Sequence, residues 1–350
     1  MPHGPFDASI STAVRSLVSA LVTTRGQTSA VIELDEDCAR VAFAEDLAPL
    51  LGAAVSQGRV AVPRAARERL LWEHQMCVAS NVVRSRATRT FADLCRQVGI
   101  PVVLLKGMAM IQSTLDLGER SMIDADLLVP ASRWQQACAL IIGAGFAETV
   151  LPGRGYTARH DYVRTFSNAA GVTMEIHRFV CEASFLDIDY EGADGLFARA
   201  RRAPTGLLVP DDGDLFLTLA AHAAKHTFEL PLRSFFDGLF LLQRSPLKLD
   251  ELAARARHWR MEAAFAMWVQ SLRTLAPAIA HVSDHAPVGP RWRWGRFVWS
   301  RTRHASPWQR FVRMAWLVDG KAAWVRHVAT RATFRALDSI QSSARGRTPS

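Results

Sequence analysis

Apolar residues recur at three- and four-residue intervals through the first hundred positions, as in Leu47, Leu50 and Leu51 and again in Leu70, Leu71, Val78 and Val82, and predict a mostly helical stretch from Ser11 to Val98. Its longest member spans Pro63 to Val98, with a proline suited to the first turn, arginines on a solvated face and Gly99 as the stop. The texture then changes. Ile100 to Leu105 (IPVVLL) is a short, β-branched, apolar run, the pattern of a buried strand, and it breaks at Lys106-Gly107 before a helix from Met108 to Leu117. Ser121 to Val129 (SMIDADLLV) alternates and then becomes wholly apolar, which predicts a second strand. Pro130-Ala131-Ser132 offers an N-cap for a helix from Arg133 to Ile142, ended by Gly143 and Gly145. Phe146 to Val150 and Asp161 to Ser167 predict further strands, and Val172 to Val180 (VTMEIHRFV) alternates after the turn Asn168 to Gly171, predicting a hairpin. Helical spacing returns in Asp214–Phe228, Ser234–Gln243, Asp250–Arg257 and Met261–Leu275, with Pro231, Pro246 and Pro277 between and after them. A Pro/His/Gly-bearing linker then leads to a basic, tryptophan-rich tail.

Composition narrows the classes. In 350 residues, 49% hydrophobic and 21% charged content supports a sizeable core and excludes wholesale disorder. No run approaches the roughly 18 consecutive apolar residues of a spanning helix, and Val14 to Val22 is interrupted by Arg15 and serines, so a cytoplasmic protein is expected. Five cysteines without a CxxC pair argue against a disulfide framework or a thiolate zinc site and predict buried thiols. The formal charge of +9 suits a polyanionic partner. Yet lysine occurs only at Lys106, Lys225, Lys248 and Lys321 while arginine is everywhere, a skew that genome composition alone produces. Where the chain departs from arginine, a compact ammonium is the group wanted.

Asp124 and Asp126 carry the strongest chemical signal. Positions i and i+2 of a strand share a face, so two carboxylates stand side by side, and they resist joint ionisation unless a cation lies between them. Magnesium suits such hard oxygen donors; the alternative is two solvated acids at a strand end. The apolar Leu127, Leu128 and Val129 that follow put the pair on a core strand. Lys106-Gly107, at a strand-to-helix turn, offers close backbone approach and free N–H groups to a phosphate, although glycine is also common there for steric reasons. Glu175 is a third acid, with His177 on its face and Met174 and Ile176 on the other. Three carboxylates from two strands can hold two metal ions, and a Glu/His pair is otherwise simply a polar sheet face.

LLKGMAM, then ERSMIDADLLV, a helix ending in GAGF and the strand MEIHRF together resemble the uncharacterised nucleotidyltransferase family of the DNA polymerase β-like nucleotidyltransferase superfamily. The likeness runs from Val102 to Phe179 and continues more loosely through HAAKH (His222 to His226) and Arg233 with Asp237. It implies that Asp124, Asp126 and Glu175 are the catalytic, metal-ligating acids for Mg2+ (or Mn2+), that Lys106-Gly107 approaches the triphosphate of ATP or another NTP, and that Arg120 contacts phosphate or anchors the loop before the acidic strand. Two positions depart from the wider pattern. Gly107 is followed by Met108 where the superfamily usually has serine, which removes a hydroxyl contact to phosphate, and Arg178 follows His177 where tryptophan is frequent.

The helix-borne His222, Lys225 and His226 can line the nucleotide pocket, as can His177; two histidines four apart can also bind metal or simply pack. They are not a zinc-protease motif, which needs glutamate after the first histidine. In the tail, Trp292, Trp294, Trp299, Trp308, Trp316 and Trp324 accompany many arginines, and Trp308 to Trp316 reads as an amphipathic helix with Arg310 and Arg313 off its apolar face. Packing on the core is favoured over a nucleic-acid platform or membrane-surface contact through residues 291–336. The expected architecture is α+β: a nucleotidyltransferase-type mixed sheet core at 99–210, an N-terminal helical region at 1–98, helices at 211–280 packing on the core, and a basic tail at 281–350. The expected activity is transfer of a nucleoside monophosphate from an NTP to an unknown small-molecule, peptide or RNA acceptor; the alternative is an inactive nucleotide-binding or RNA- or partner-binding protein of the same fold.

Overall fold

The computed structural model describes residues 11–26, 30–150, 161–182, 185–277, 306–317, 319 and 321–345. Four helices open the chain: α1 (Thr12–Thr23), α2 (Glu36–Ala44), α3 (Ala48–Ser56) and α4 (Arg64–Gln97). Ser11 and Asp35 cap the first two by accepting from the backbone N–H groups of Val14 and Cys38. Helix α3 is apolar nearly all round and almost wholly buried. Its Gly52 permits a close crossing with α4, since a Cβ there would lie 2.2 Å from the Leu70 carbonyl oxygen. A short parallel ladder, β1 (Ile32–Glu33) with β2 (Val60–Ala61), joins the ends of this region; two residues per strand are too few to leave a periodicity.

The central sheet is mixed and seven-stranded, in the order β5-β6-β7-β4-β3-β9-β8. Its members are β3 (Val103–Leu104), β4 (Asp124–Leu128), β5 (Ala147–Glu148), β6 (Val163–Ser167), β7 (Thr173–His177), β8 (Arg201–Arg202) and β9 (Leu208–Val209). The fold class is α+β, with α5 (Lys106–Ser113), α6 (Trp134–Gly143) and the short α7 (Leu196–Arg199) between strands. β4 and β7 run parallel in the sheet centre with Asp126 opposite Glu175, and β6 and β7 form the hairpin predicted from the turn at Asn168. Alternation assigns the faces: Ala125, Leu127, Met174 and Ile176 are buried in the core, and α6 closes that side, its Trp134 indole N–H donating to the Ile176 carbonyl at 2.9 Å. Strands β8 and β9 are additions to the pattern read from the sequence.

Four helices follow: α8 (Asp212–Lys225), α9 (Leu232–Arg244), α10 (Leu249–His258) and α11 (Glu262–Leu275). Buried Asp214 pins α8 to its surroundings by accepting from Arg199 at 2.9 and 3.0 Å and from Arg255 at 2.6 Å. The C-terminal helices α12 (Pro307–Leu317) and α13 (Lys321–Arg345) complete the described chain; residues 278–305, with Trp292, Trp294 and Trp299, lie outside it. Arg313 is buried, because its guanidinium donates to Glu229 at 2.7 Å and is drawn inward with Leu317. All five cysteines are free and buried. No described helix is long and apolar enough to cross a membrane.

Candidate active site

β4 and β7 present Asp124, Asp126 and Glu175 to a cavity of about 310 Å³ roofed by α8 and α9, a volume in the range of small-molecule sites. Nine of the ten residues singled out from the sequence line it: Lys106, Gly107, Arg120, Asp124, Asp126, Glu175, His222, Lys225 and His226. The tenth, His177, lies behind the acids at 1% exposure, so it supports the carboxylates from beneath and does not line the cavity. Its Nε2 is 3.0 Å from Asp126 Oδ1 and 3.2 Å from Glu175 Oε2. Burial disfavours an imidazolium there, but the hydrogen bonds to the two acids outweigh it and hold the ring above its ordinary 6.5.

The three acids have different surroundings. Burial raises Asp126, yet the Lys106 ammonium and His177 prevail and keep it ionised well below the ordinary carboxylate range. Lys106 begins α5 at φ +45°, a left-handed turn costing a non-glycine residue about 1–2 kcal/mol, and its ammonium meets Asp126 Oδ1. Burial raises Glu175 too, but the hydrogen bond from His177, the His177 charge and the Lys106 charge together outweigh it and leave Glu175 lowered. Asp124 has no such partner strong enough: burial, then Asp126, then Glu175 push it up to about 6. A divalent cation fits this set, because it supplies the counter-charge that Asp124 lacks among hard oxygen donors. Asp126, Glu175 and His177 also place one donor atom each within 4.8 Å of the others.

The cationic wall was only half legible. Arg120 clamps Asp237 of α9, donating from Nε at 3.0 and 3.1 Å and from Nη2 at 2.9 Å, so it anchors the loop before β4. Arg233 and Asp237 belong only to the looser part of the family likeness and are not among the expected site residues; Asp237 pairs with Arg120, 117 residues away. Lys225 donates to Tyr162 Oη and lies over that ring at 4.8 Å. His222 and His226 meet edge to face, with centroids 4.6 Å apart. Desolvation and the Lys106 charge drive His222 well below 6.5, and desolvation with Lys225 lowers His226 to about 4. Both are therefore neutral near pH 7 and offer the cavity hydrogen bonds, not charge.

Gly107 leaves room for the Met122 side chain. A Cβ would sit 2.5 Å from Met122 Sδ and 2.7 Å from its Cγ. Gly107→Ala is expected to lose about 1–3 kcal/mol in urea unfolding through overpacking, and Met122→Ala in the same chain to restore most of it; a loss unchanged by the second substitution would place the strain elsewhere.

A mixed sheet that sets paired aspartates on one strand against an acid on its parallel neighbour, beneath helices that roof a polar cavity, defines a nucleotidyltransferase-type protein. The uncharacterised nucleotidyltransferase family matches the chain over residues 34–277, about seven-tenths of its length, and the chain belongs to that family. No curated protein and no solved structure gives a significant match.

Proposed function

We propose that the protein transfers a nucleoside monophosphate from an NTP, ATP among them, to an acceptor nucleophile with release of pyrophosphate. One observation carries this reading: three acids from two adjacent strands line one cavity together with Lys106, Arg120 and Arg233. Asp124, Asp126 and Glu175 would hold Mg2+ or Mn2+. Such an ion supplies charge neutralisation at the phosphate oxygens and orients the triphosphate.

The chain's own residues do the rest. An acceptor oxygen attacks the α-phosphorus, the bond from that phosphorus to the bridging oxygen of the β-phosphate breaks, and pyrophosphate departs with the electron pair. Glu175, at 24% exposure the more open of the two acids on His177, is positioned to take the acceptor's proton. His177 fixes the Asp126 and Glu175 carboxylates from behind. Catalysis of this kind rests on positioning and charge neutralisation and needs no covalent protein nucleophile.

The test is pyrophosphate release from each of the four NTPs across an acceptor screen, with and without divalent cation. Release is expected with Mg2+ or Mn2+ and is expected to fall to background on chelation by EDTA and to return when metal is restored. Release that survives complete chelation would contradict the reading. Tight nucleotide binding without turnover on any acceptor would favour a non-catalytic member of the fold.

A further inference from the structure

Four cationic side chains line the cavity, and three are already committed. Lys106 is paired with Asp126, Arg120 is held by both oxygens of Asp237, and Lys225 donates to Tyr162. Arg233 differs. Its Nη1 donates to two uncharged oxygens, the Ser121 carbonyl at 2.7 Å and Ser121 Oγ at 3.1 Å, and its Nε is buried without a hydrogen-bond partner. The carboxylate nearest to it in an ion pair is Asp46, 3.8 Å from Nη1 and 53% exposed, where water screens the attraction. Burial and the like charge of Arg120 push Arg233 down to about 10, the mark of a guanidinium short of counter-charge.

We propose that Arg233 is the polyphosphate-binding residue of this cavity, its fork taking the non-bridging oxygens of the NTP chain that will leave as pyrophosphate. The assignment rests on the nucleotide reading above and adds to it a residue and the part of the substrate that residue recognises. Planar, bidentate donation is what distinguishes arginine from lysine at such a position. Arg233 enters on α9, whose Asp237, one turn further along, fixes Arg120; a single helix thus supplies one cation and pins a second.

The probe is inorganic tripolyphosphate with Mg2+, titrated calorimetrically into the full-length protein at low salt. Arg233→Gln is expected to weaken binding about tenfold or more. A second variant separates binding from mere scaffolding of the Ser121 loop. Asp46→Asn removes the acid that ion-pairs with Arg233, at a position of φ +58° that asparagine accepts without strain. It is expected to tighten tripolyphosphate binding about two- to threefold, and to have no effect in the Arg233→Gln background. Equal affinity in wild type, Arg233→Gln and Asp46→Asn overturns the assignment, as does an Asp46→Asn gain that persists without Arg233. If Arg233→Gln fails to fold, the Asp46→Asn arm decides: no tightening overturns the proposal. Wild type that binds neither tripolyphosphate nor any NTP overturns the nucleotide reading itself, whereas wild type that binds both while the variants are indifferent removes only the role of Arg233.

Discussion

Asp124→Asn is expected to reduce pyrophosphate release by about a thousandfold or more while raising the melting temperature of the metal-free protein. The opposite signs have one cause. Asp124 stands with Asp126 and Glu175 on one cavity wall, and it is the acid whose charge the protein leaves uncompensated, so its pKa is raised to about 6. In the folded protein at pH 7 it is ionised against burial and against two like charges. Removing that charge relieves about 1–2 kcal/mol after allowance for solvent screening, or roughly 2–4 °C. The sign fixes the pH window. Because the folded value lies above the unfolded 3.8, ionised Asp124 opposes folding, and the penalty fades as pH falls through 6 towards 3.8. Calorimetry in EDTA should therefore show a gap between variant and wild type that is widest above pH 6 and closes below about pH 4. A variant less stable than wild type at pH 7 would mean that Asp124 is structurally paired and not poised for a cation.

The second large effect belongs to the clamp between the acidic strand and α9. Arg120 and Asp237 are both buried and joined through three hydrogen-bonded contacts. Asp237→Ala leaves a desolvated guanidinium with a lone carbonyl contact, to Ser121, and is expected to cost about 3–5 kcal/mol in guanidinium unfolding. Replacing both members by apolar residues, Arg120→Met with Asp237→Leu, should recover most of that loss, since such pairs contribute little beyond an apolar equivalent of similar volume. The repaired protein is nevertheless expected to bind nucleotide poorly, because Arg120 no longer holds the loop on which Ser121 meets Arg233. A loss below about 1 kcal/mol for Asp237→Ala would show that water reaches Arg120 freely.

The two strands that carry the acids were legible because a period of two exposes itself within five residues. SMIDADLLV and VTMEIHRFV each declare one polar and one apolar face, and the structure buries Met174 and Ile176 while turning Glu175 to the cavity. The strand ends were less legible. Ile100 to Leu105 reads as one apolar run, yet the ladder with β4 and β9 is confined to Val103 and Leu104, with the Leu105 N–H donating to the Asp126 carbonyl just beyond it. Charge pairing was largely hidden, since a sequence shows which cations exist and not which acids they reach. Lys106 finds Asp126 twenty positions on, Arg120 reaches Asp237 across the fold, and Arg313 reaches Glu229 from the tail. Arg233 became conspicuous only by subtraction, once its neighbours had been assigned.

The most direct test of the acidic wall is anomalous diffraction from Mn2+ in crystals grown with a non-hydrolysable NTP. The account predicts manganese bonded to carboxylate oxygens of Asp124, Asp126 and Glu175, with the nucleotide's phosphates in the same cavity. Manganese absent from those three acids while the nucleotide is bound, or nucleotide bound elsewhere on the protein, would contradict it.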